Sequence, residues 1–206
     1  MDFIGQEQPV KKAKQRTPIT YKKSKSVFKN SNILIRNAAS GDVINSVFYT
    51  SSVWLAGGVV NGAGTSSISY SYDSLTWYNS SSGNVTITNS CNKFDWSGVR
   101  WGACGSGTNS IAYSSDGITW NAVSNSLTLI NTGNDILWNG SQWICVGSKG
   151  TNGNATPIAT SINGITWTNL LTAPTASECK SISWNGKKWI LALNSATFYT
   201  SPDLVT

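Results

Sequence analysis

Ser114-Ser-Asp-Gly-Ile-Thr-Trp120 is one of four versions of a single phrase in this chain. The others are Ser-Tyr-Asp-Ser-Leu-Thr-Trp at Ser71–Trp77, Ser-Ile-Asn-Gly-Ile-Thr-Trp at Ser161–Trp167 and Ser-Pro-Asp-Leu-Val-Thr at Ser201–Thr206. The opening serines are 43, 47 and 40 residues apart. Self-similarity at such a period marks an array of structural units, each stacking on its neighbours.

A second phrase keeps the same register. Trp96, Trp138 and Trp184 each precede another Trp by five residues, at Trp101, Trp143 and Trp189; Tyr49 and Trp54 stand in the same relation. The intervening residues are Thr50-Ser-Ser-Val53, Ser97-Gly-Val-Arg100, Asn139-Gly-Ser-Gln142 and Asn185-Gly-Lys-Lys188. Asn-Gly between apolar runs signals a hairpin, since both residues tolerate positive φ. Each unit then reads as a strand ending in an aromatic, a tight turn, and a second strand such as Trp143-Ile-Cys-Val-Gly147. A Gly- and Ser-rich loop, a third strand such as Ser110-Ile-Ala-Tyr-Ser114, the Ser-x-Asp turn and a short fourth strand complete it. In the first unit these strands are expected near Val43–Tyr49, Val53–Val59, Ser67–Ser71 and Thr76–Asn79. Four strands in 40 to 50 residues is the size of a β-propeller blade, and no long stretch carries helical periodicity. The predicted fold is all-β: a β-propeller of four-stranded antiparallel blades. The blades fall at about 42–87, 88–129, 130–176 and an incomplete 177–206, within a repeat domain 37–206 that follows a basic arm, 1–36.

The Ser-x-Asp-Gly-x-Thr-Trp phrase resembles the Asp-box of sialidase-like propellers, in a form one residue shorter between Asp and Gly. Together with Trp-Asn-Gly-x-x-Trp, it resembles repeats of uncharacterised proteins of large DNA viruses and of some phage tail proteins. The resemblance covers residues 42–206. It implies a propeller blade and carries over no catalytic residue: the arginine cluster of sialidases has only Arg100 to match it in the blades, with Arg36 at their border.

The turn has a structural rationale of its own. An Asp or Asn side chain accepts N–H groups within its turn, Gly supplies the unusual φ, and Ser adds a hydroxyl. Ser71, Asp73, Ser114, Asp116, Ser161, Asn163, Ser201 and Asp203 are therefore read as structural turn residues. Asn163 keeps the bonding and drops the charge, which argues against metal or acid chemistry at this position. The regularly spaced Trp residues read as blade core rather than as surface platforms.

Only 12% of residues are charged, about half the usual share. Residues 1–36 hold seven Lys with Arg16 and Arg36 against Asp2 and Glu7, a net +7; residues 37–206 carry a net −1. The arm lacks a sustained apolar period and reads as extended when alone. Lys11, Lys12, Lys14, Arg16, Lys22, Lys23, Lys25 and Lys29 form the predicted partner-binding set, interleaved with Pro9, Val10, Pro18, Ile19, Tyr21, Val27 and Phe28. That mixture suits a peptide lying in a groove on an acidic protein neighbour; nucleic acid is the second candidate partner and a merely solubilising tail the plainer reading.

Enzyme chemistry finds little here. There is no His, which removes the triads and metal sites that need it. Glycoside hydrolysis usually takes two carboxylates, one often Glu, and the repeats hold one Glu, Glu178. The cysteines lack metal-ligand spacing; Cys91 and Cys179 occupy equivalent places five residues before a Trp, Cys104 and Cys145 lie in second strands, and all four read as small buried hydrophobes. No catalytic, metal or cofactor site is expected. Met1–Gln8 has no apolar core of a signal peptide, and no membrane-length apolar run follows. The expected location is cytoplasmic, or virion and host cytoplasm for a viral chain, and the sequons at Asn79, Asn84, Asn139 and Asn154 then stay bare.

The expected function is a non-enzymatic structural or docking protein, in its most concrete form a virion-associated or minor capsid component tethered by its arm to protein neighbours, capsid proteins among them. The alternative is a carbohydrate-binding propeller, with glycan as partner, or a degenerate sialidase-like glycosidase. The fourth phrase stops before its Trp. Either the polypeptide continues, the preferred expectation, or Asn32-Ile-Leu-Ile-Arg36 supplies the missing strand and closes a four-bladed ring.

Overall fold

The computed structural model describes residues 43–50, 52–60, 66–80, 87–171 and 178–204. The basic arm and the Asn32–Arg36 strand expectation lie outside them. The described chain is all-β apart from one turn of helix, α1 (Ser126–Leu129). Unit 1 consists of β1 (Val43–Tyr49), β2 (Trp54–Val59), β3 (Ile68–Ser71) and β4 (Tyr78–Asn79). Unit 2 consists of β5 (Ser90–Trp96), β6 (Trp101–Ser106), β7 (Ile111–Ser114) and β8 (Asn121–Ala122). Unit 3 consists of β9 (Ile130–Trp138), β10 (Trp143–Lys149), β11 (Ile158–Ser161) and β12 (Thr168–Asn169). The described part of unit 4 is β13 (Cys179–Trp184), β14 (Trp189–Leu193) and β15 (Phe198–Ser201). Each unit is an antiparallel meander in chain order. Units 1 and 2 are further joined by the single ladder pair Val59↔Ser90, which makes their strands one continuous sheet.

The first three expected strands of unit 1 agree with β1, β2 and β3 to within a residue. The fourth is shorter, Tyr78–Asn79 rather than Thr76–Asn79. The reason is local: the Thr76 N–H donates to the Asp73 carboxylate at 2.7 Å, so Thr76 belongs to the turn.

The paired aromatics stand directly opposite each other across the first hairpin of every unit. Their rings lie 4.3 Å apart for Tyr49–Trp54, 5.0 Å for Trp96–Trp101, 5.4 Å for Trp138–Trp143 and 4.5 Å for Trp184–Trp189. At the turns of units 2, 3 and 4 only the glycine takes positive φ, 95° at Gly98, 101° at Gly140 and 88° at Gly186. Asn139 and Asn185 instead cap the turn, each accepting two backbone N–H bonds at 2.8 and 2.9 Å. The hairpins that Asn-Gly signals are present, with Gly supplying the positive φ and Asn an acceptor oxygen.

The units pack face to face in succession. Phe94 and Trp120 of unit 2 meet Leu55 and Ile68 of unit 1; Ile136 of unit 3 meets Cys104 and Ile111 of unit 2; Ile182 and Leu191 of unit 4 meet Ile144, Val146 and Ile158 of unit 3. The first strands β1, β5, β9 and β13 lie next to one another in sequence order, whereas β4, β8 and β12 make no comparable contact with each other. The units therefore fan out from an inner edge formed by their first strands. Among the described strands, unit 4 neither pairs with nor packs comparably on unit 1.

Candidate functional site

The Ser-x-Asp phrases form four copies of one turn. In unit 2 the Ser114 hydroxyl donates to Asp116 Oδ1 at 2.9 Å and accepts the Gly117 N–H at 2.9 Å. Asp116 Oδ1 also accepts the Ile118 and Thr119 N–H groups at 2.8 Å each. Asn163 Oδ1 repeats these bonds in unit 3, accepting from Ile165 and Thr166 at 2.9 Å each, and the Ser161 hydroxyl accepts from Gly164 at 2.8 Å. Asp73 Oδ1 accepts from Leu75 at 2.8 Å and Thr76 at 2.7 Å, and Ser71 donates to it at 3.0 Å. In unit 4 Ser201 donates to Asp203 at 3.3 Å and accepts from Leu204 at 2.7 Å. The residue after the Asp or Asn has positive φ in every copy: 61° at Ser74, 76° at Gly117, 74° at Gly164 and 65° at Leu204. The turn thus holds its shape even without glycine, at about 1–2 kcal/mol of backbone strain per copy. Trp120 and Trp167 close it, donating Nε1–H to the carbonyls of Gly117 and Gly164 at 3.1 and 3.0 Å.

These bonds act on the carboxylates. The Thr76 and Leu75 N–H groups pull Asp73 down to about 2. At Asp116 burial pushes upward, but the Thr119 and Ile118 N–H groups and the Ser114 hydroxyl outweigh it, and the pKa falls below the usual range. A lowered folded pKa means stability present above the unfolded pKa near 3.8 and lost as pH falls through the folded value. Asp116→Asn is expected to be nearly silent at neutral pH, because Oδ1 alone makes these bonds and Asn163 makes the same ones. Asp116→Ala should cost about 1 kcal/mol or more. Urea titrations of both variants test the pair, and equal losses would defeat the turn-bond account.

A second recurrent feature joins the units, at a position that neither repeat phrase marks. Asn45, Asn92, Asn134 and Lys180 all stand four residues before the first aromatic of their unit. Each sits at a β-bulge between the first and second strands. A bulge re-aims a side chain, and here it turns each Asn toward the next unit. Asn45 donates to the Cys91 carbonyl at 3.4 Å, Asn92 to the Gly133 carbonyl at 2.8 Å and Asn134 to the Cys179 carbonyl at 2.8 Å. All three acceptors occupy one repeat position. The signal that could have found them is an alignment of the four first strands on their aromatics.

Two aspartates add to the same inner edge. Asp95 accepts from its neighbour Trp96 at 2.8 Å and from Trp138 of unit 3 at 2.6 Å. Burial raises its pKa, against those two N–H groups and with help from nearby Asp135. Its pH contribution runs opposite to the turn aspartates: it favours the fold at low pH and fades as pH rises through the folded value. Asp135 accepts from Ile136 at 3.0 Å and, across the joint to unit 4, from the Ser181 hydroxyl at 2.7 Å and the Ile182 N–H at 3.1 Å. Glu178 is held below the ordinary range by Lys180, 2.6 Å away, and by Asn134. Each of these carboxylates is bonded within the fold.

The four cysteines are free and buried. Burial keeps three of the thiols protonated, raising Cys91 and Cys104 far above the usual range and Cys179 to about 11. Such thiols are poor nucleophiles and poor ligands. Among the described residues no three Asp, Glu, Cys or His side chains are grouped as a metal site would need. None of the ten Trp is fully exposed. The aromatics that do reach the surface include a tyrosine cluster, Tyr72 and Tyr78 flanking Tyr70 with ring centroids 5.7 and 5.4 Å away. A polar depression beside the third turn is lined by Gln142, Thr160, Asn163, Thr166 and Thr168 and has no ionisable side chain. The expected partner-binding lysines and Arg16 lie outside the described residues.

No helix among the described residues is long and apolar enough to cross a membrane. No protein-family model and no curated protein matches this chain. Among solved structures, the chain is similar to the GH74 enzyme of Niastella koreensis, with 18% identity, a TM-score of 0.42 and coverage of 73% of this chain; it spans 27% of that chain.

Proposed function

We propose that this chain is a non-enzymatic docking protein: a propeller-type repeat platform tied into a large assembly by its basic N-terminal arm. The observation that carries the reading is the charge division, +7 on residues 1–36 and −1 on residues 37–206. The repeats support it, because their acidic side chains bind neighbouring units and turns rather than converge on a cleft. The fan of first strands and the four Ser-x-Asp turns favour blades of Asp-box type. The combined repeat phrases favour a virion-associated or minor capsid component, with acidic capsid neighbours as the arm's partner.

Deletion of residues 1–30 is expected to leave the repeat domain folded and to abolish incorporation into the assembly. Co-purification of the truncated chain with the same neighbours would sink the tether. For nucleic acid as the partner, affinity should fall steeply with salt through counterion release; a shallow salt slope supports a protein groove.

Carbohydrate binding is the second reading, favoured by the exposed tyrosine cluster and by the hydroxyl- and amide-lined depression. A glycan array read with Tyr72→Ala alongside the parent chain separates the two, since the docking reading expects no glycan signal that this variant removes.

A further inference from the structure

Five Asn-Gly pairs occur in the chain: Asn61-Gly62, Asn139-Gly140, Asn152-Gly153, Asn163-Gly164 and Asn185-Gly186. Each holds the parts of an intramolecular reaction. The glycine nitrogen can attack the side-chain carbonyl carbon of the asparagine, because no Cβ on glycine obstructs its approach. The new C–N bond closes a succinimide ring and expels ammonia. One water then opens the ring, to aspartate if it cleaves at one carbonyl and to isoaspartate if it cleaves at the other. The reaction needs an asparagine side chain free to turn onto its own backbone and a glycine N–H that is not engaged elsewhere.

The fold grants that freedom unequally. Asn139 Oδ1 accepts the Ser141 and Gln142 N–H groups at 2.9 and 2.8 Å, and Asn185 Oδ1 accepts those of Lys187 and Lys188 at 2.9 and 2.8 Å. Asn163 Oδ1 accepts those of Ile165 and Thr166 at 2.9 Å each. Turning any of these carboxamides onto the glycine nitrogen breaks two hydrogen bonds. At Asn163 the nucleophile is tied as well: Gly164 is buried and donates its N–H to Ser161 Oγ at 2.8 Å. Asn152 differs. It lies in the loop between β10 and β11, outside both repeat phrases, and its Oδ1 accepts one N–H, that of Asn154 at 3.2 Å. Asn152, Gly153 and Asn154 are all exposed, and a Cβ built on Gly153 would meet nothing within 4 Å beyond its chain neighbours.

We infer that Asn152 is a site of spontaneous deamidation in the folded protein, and that the repeat turns shield Asn139, Asn163 and Asn185 from the same reaction. The change adds one negative charge to unit 3 and takes the net charge from +6 to +5. The isoaspartate product also runs the backbone through the former side chain. That inserts a methylene ahead of the carbonyl that accepts the Ala155 N–H at 2.8 Å, so the turn at 152–155 is lost. The Asn152 N–H bond to the Thr128 carbonyl, 3.1 Å, lies before the insertion and is kept.

The test incubates the folded 206-residue chain in mildly alkaline buffer and follows each asparagine by tryptic peptide mapping and mass spectrometry. Asn152 should convert about tenfold faster or more than Asn139, Asn163 or Asn185, the rate equivalent of two hydrogen bonds. Asn61-Gly62 lies outside the described residues and is followed separately. In guanidinium, with the turns melted, the rates at the four described pairs should converge. Asn152→Gln replaces an exposed side chain with one that would have to close a larger ring, so the tryptic peptide 150–180 of this variant should keep its mass over the same interval. Equal rates at the four pairs in the folded chain overturn the inference. So does a ranking that persists in guanidinium, which would put the difference in the neighbouring residues rather than in the fold. A peptide 150–180 that still turns acidic at the parent's rate in Asn152→Gln places the reaction elsewhere and equally rejects Asn152 as the site.

Discussion

Replacing Asp135 by Ala is expected to cost about 2–4 kcal/mol, on the scale of buried donors left without a charged acceptor. Asp135 is nearly buried, and its two oxygens divide the work: Oδ1 holds the Ile136 N–H of its own strand, and Oδ2 holds Ser181 and Ile182 of unit 4. Alanine strands the buried Ile182 N–H and removes the polar tie between units 3 and 4. The more telling variant is Asp135→Asn. Its side chain keeps one acceptor oxygen and turns an NH2 group toward an N–H at the other position, so it should lose about 1–2 kcal/mol. Asp116→Asn loses nothing comparable, because a single oxygen makes the bonds of that turn. Urea unfolding should therefore rank Asp135→Ala below Asp135→Asn, and Asp135→Asn below Asp116→Asn. An Asp135→Asn variant as stable as Asp116→Asn would mean that the two-sided acceptor is not what joins units 3 and 4.

The contrast between these two aspartates also separates what could be read in the sequence from what could not. The turn around Asp116 is local. Its donors lie within three residues of the carboxylate, so the phrase carries the whole structure of the turn, and the natural Asn163 shows which atom matters. The hairpins are local as well, and the spacing of Trp138 and Trp143 set the ladder register that β9 and β10 adopt. The role of Asp135 is not local. Its partners are 46 and 47 residues away, and its counterpart in joining units 2 and 3, Asp95, stands one residue before its Trp rather than three. No shared position advertises the two. The Asn45, Asn92 and Asn134 ladder falls between these cases: the position is shared, but asparagine is so common in this chain that only the bulge gives the repetition meaning. Of residues 1–36 the sequence makes the charge legible, a net +7 against −1 on residues 37–206.

Gly102→Ala is expected to destabilise by about 2–3 kcal/mol, at the upper end of the cost of overpacking a core. The direction is informative because the local expectation is the reverse. Gly102 lies in β6 and is not among the residues with positive φ, and alanine in a strand interior is favoured over glycine by about 0.5–1 kcal/mol through backbone entropy. What opposes it is the next unit. A Cβ on Gly102 would stand 2.7 Å from Cζ3 of Trp143 and 2.9 Å from Cδ1 of Ile136, closer than real carbon contacts allow. Both neighbours are buried, so any shift that relieves the contact must displace other core side chains. Glycine at this position is thus what lets the Trp143 ring pack this closely on unit 2. The test is a double-mutant cycle. Trp143→Leu alone should cost about 3 kcal/mol as a large-to-small change in a core. In that background the added methyl enters the space the ring has vacated, so Gly102→Ala should be neutral or stabilising, with a coupling of about 2 kcal/mol between the two changes. Effects that add to within about 0.5 kcal/mol would show the ring and the glycine to be independent, and the face-to-face packing of units 2 and 3 would then have to rest on other contacts.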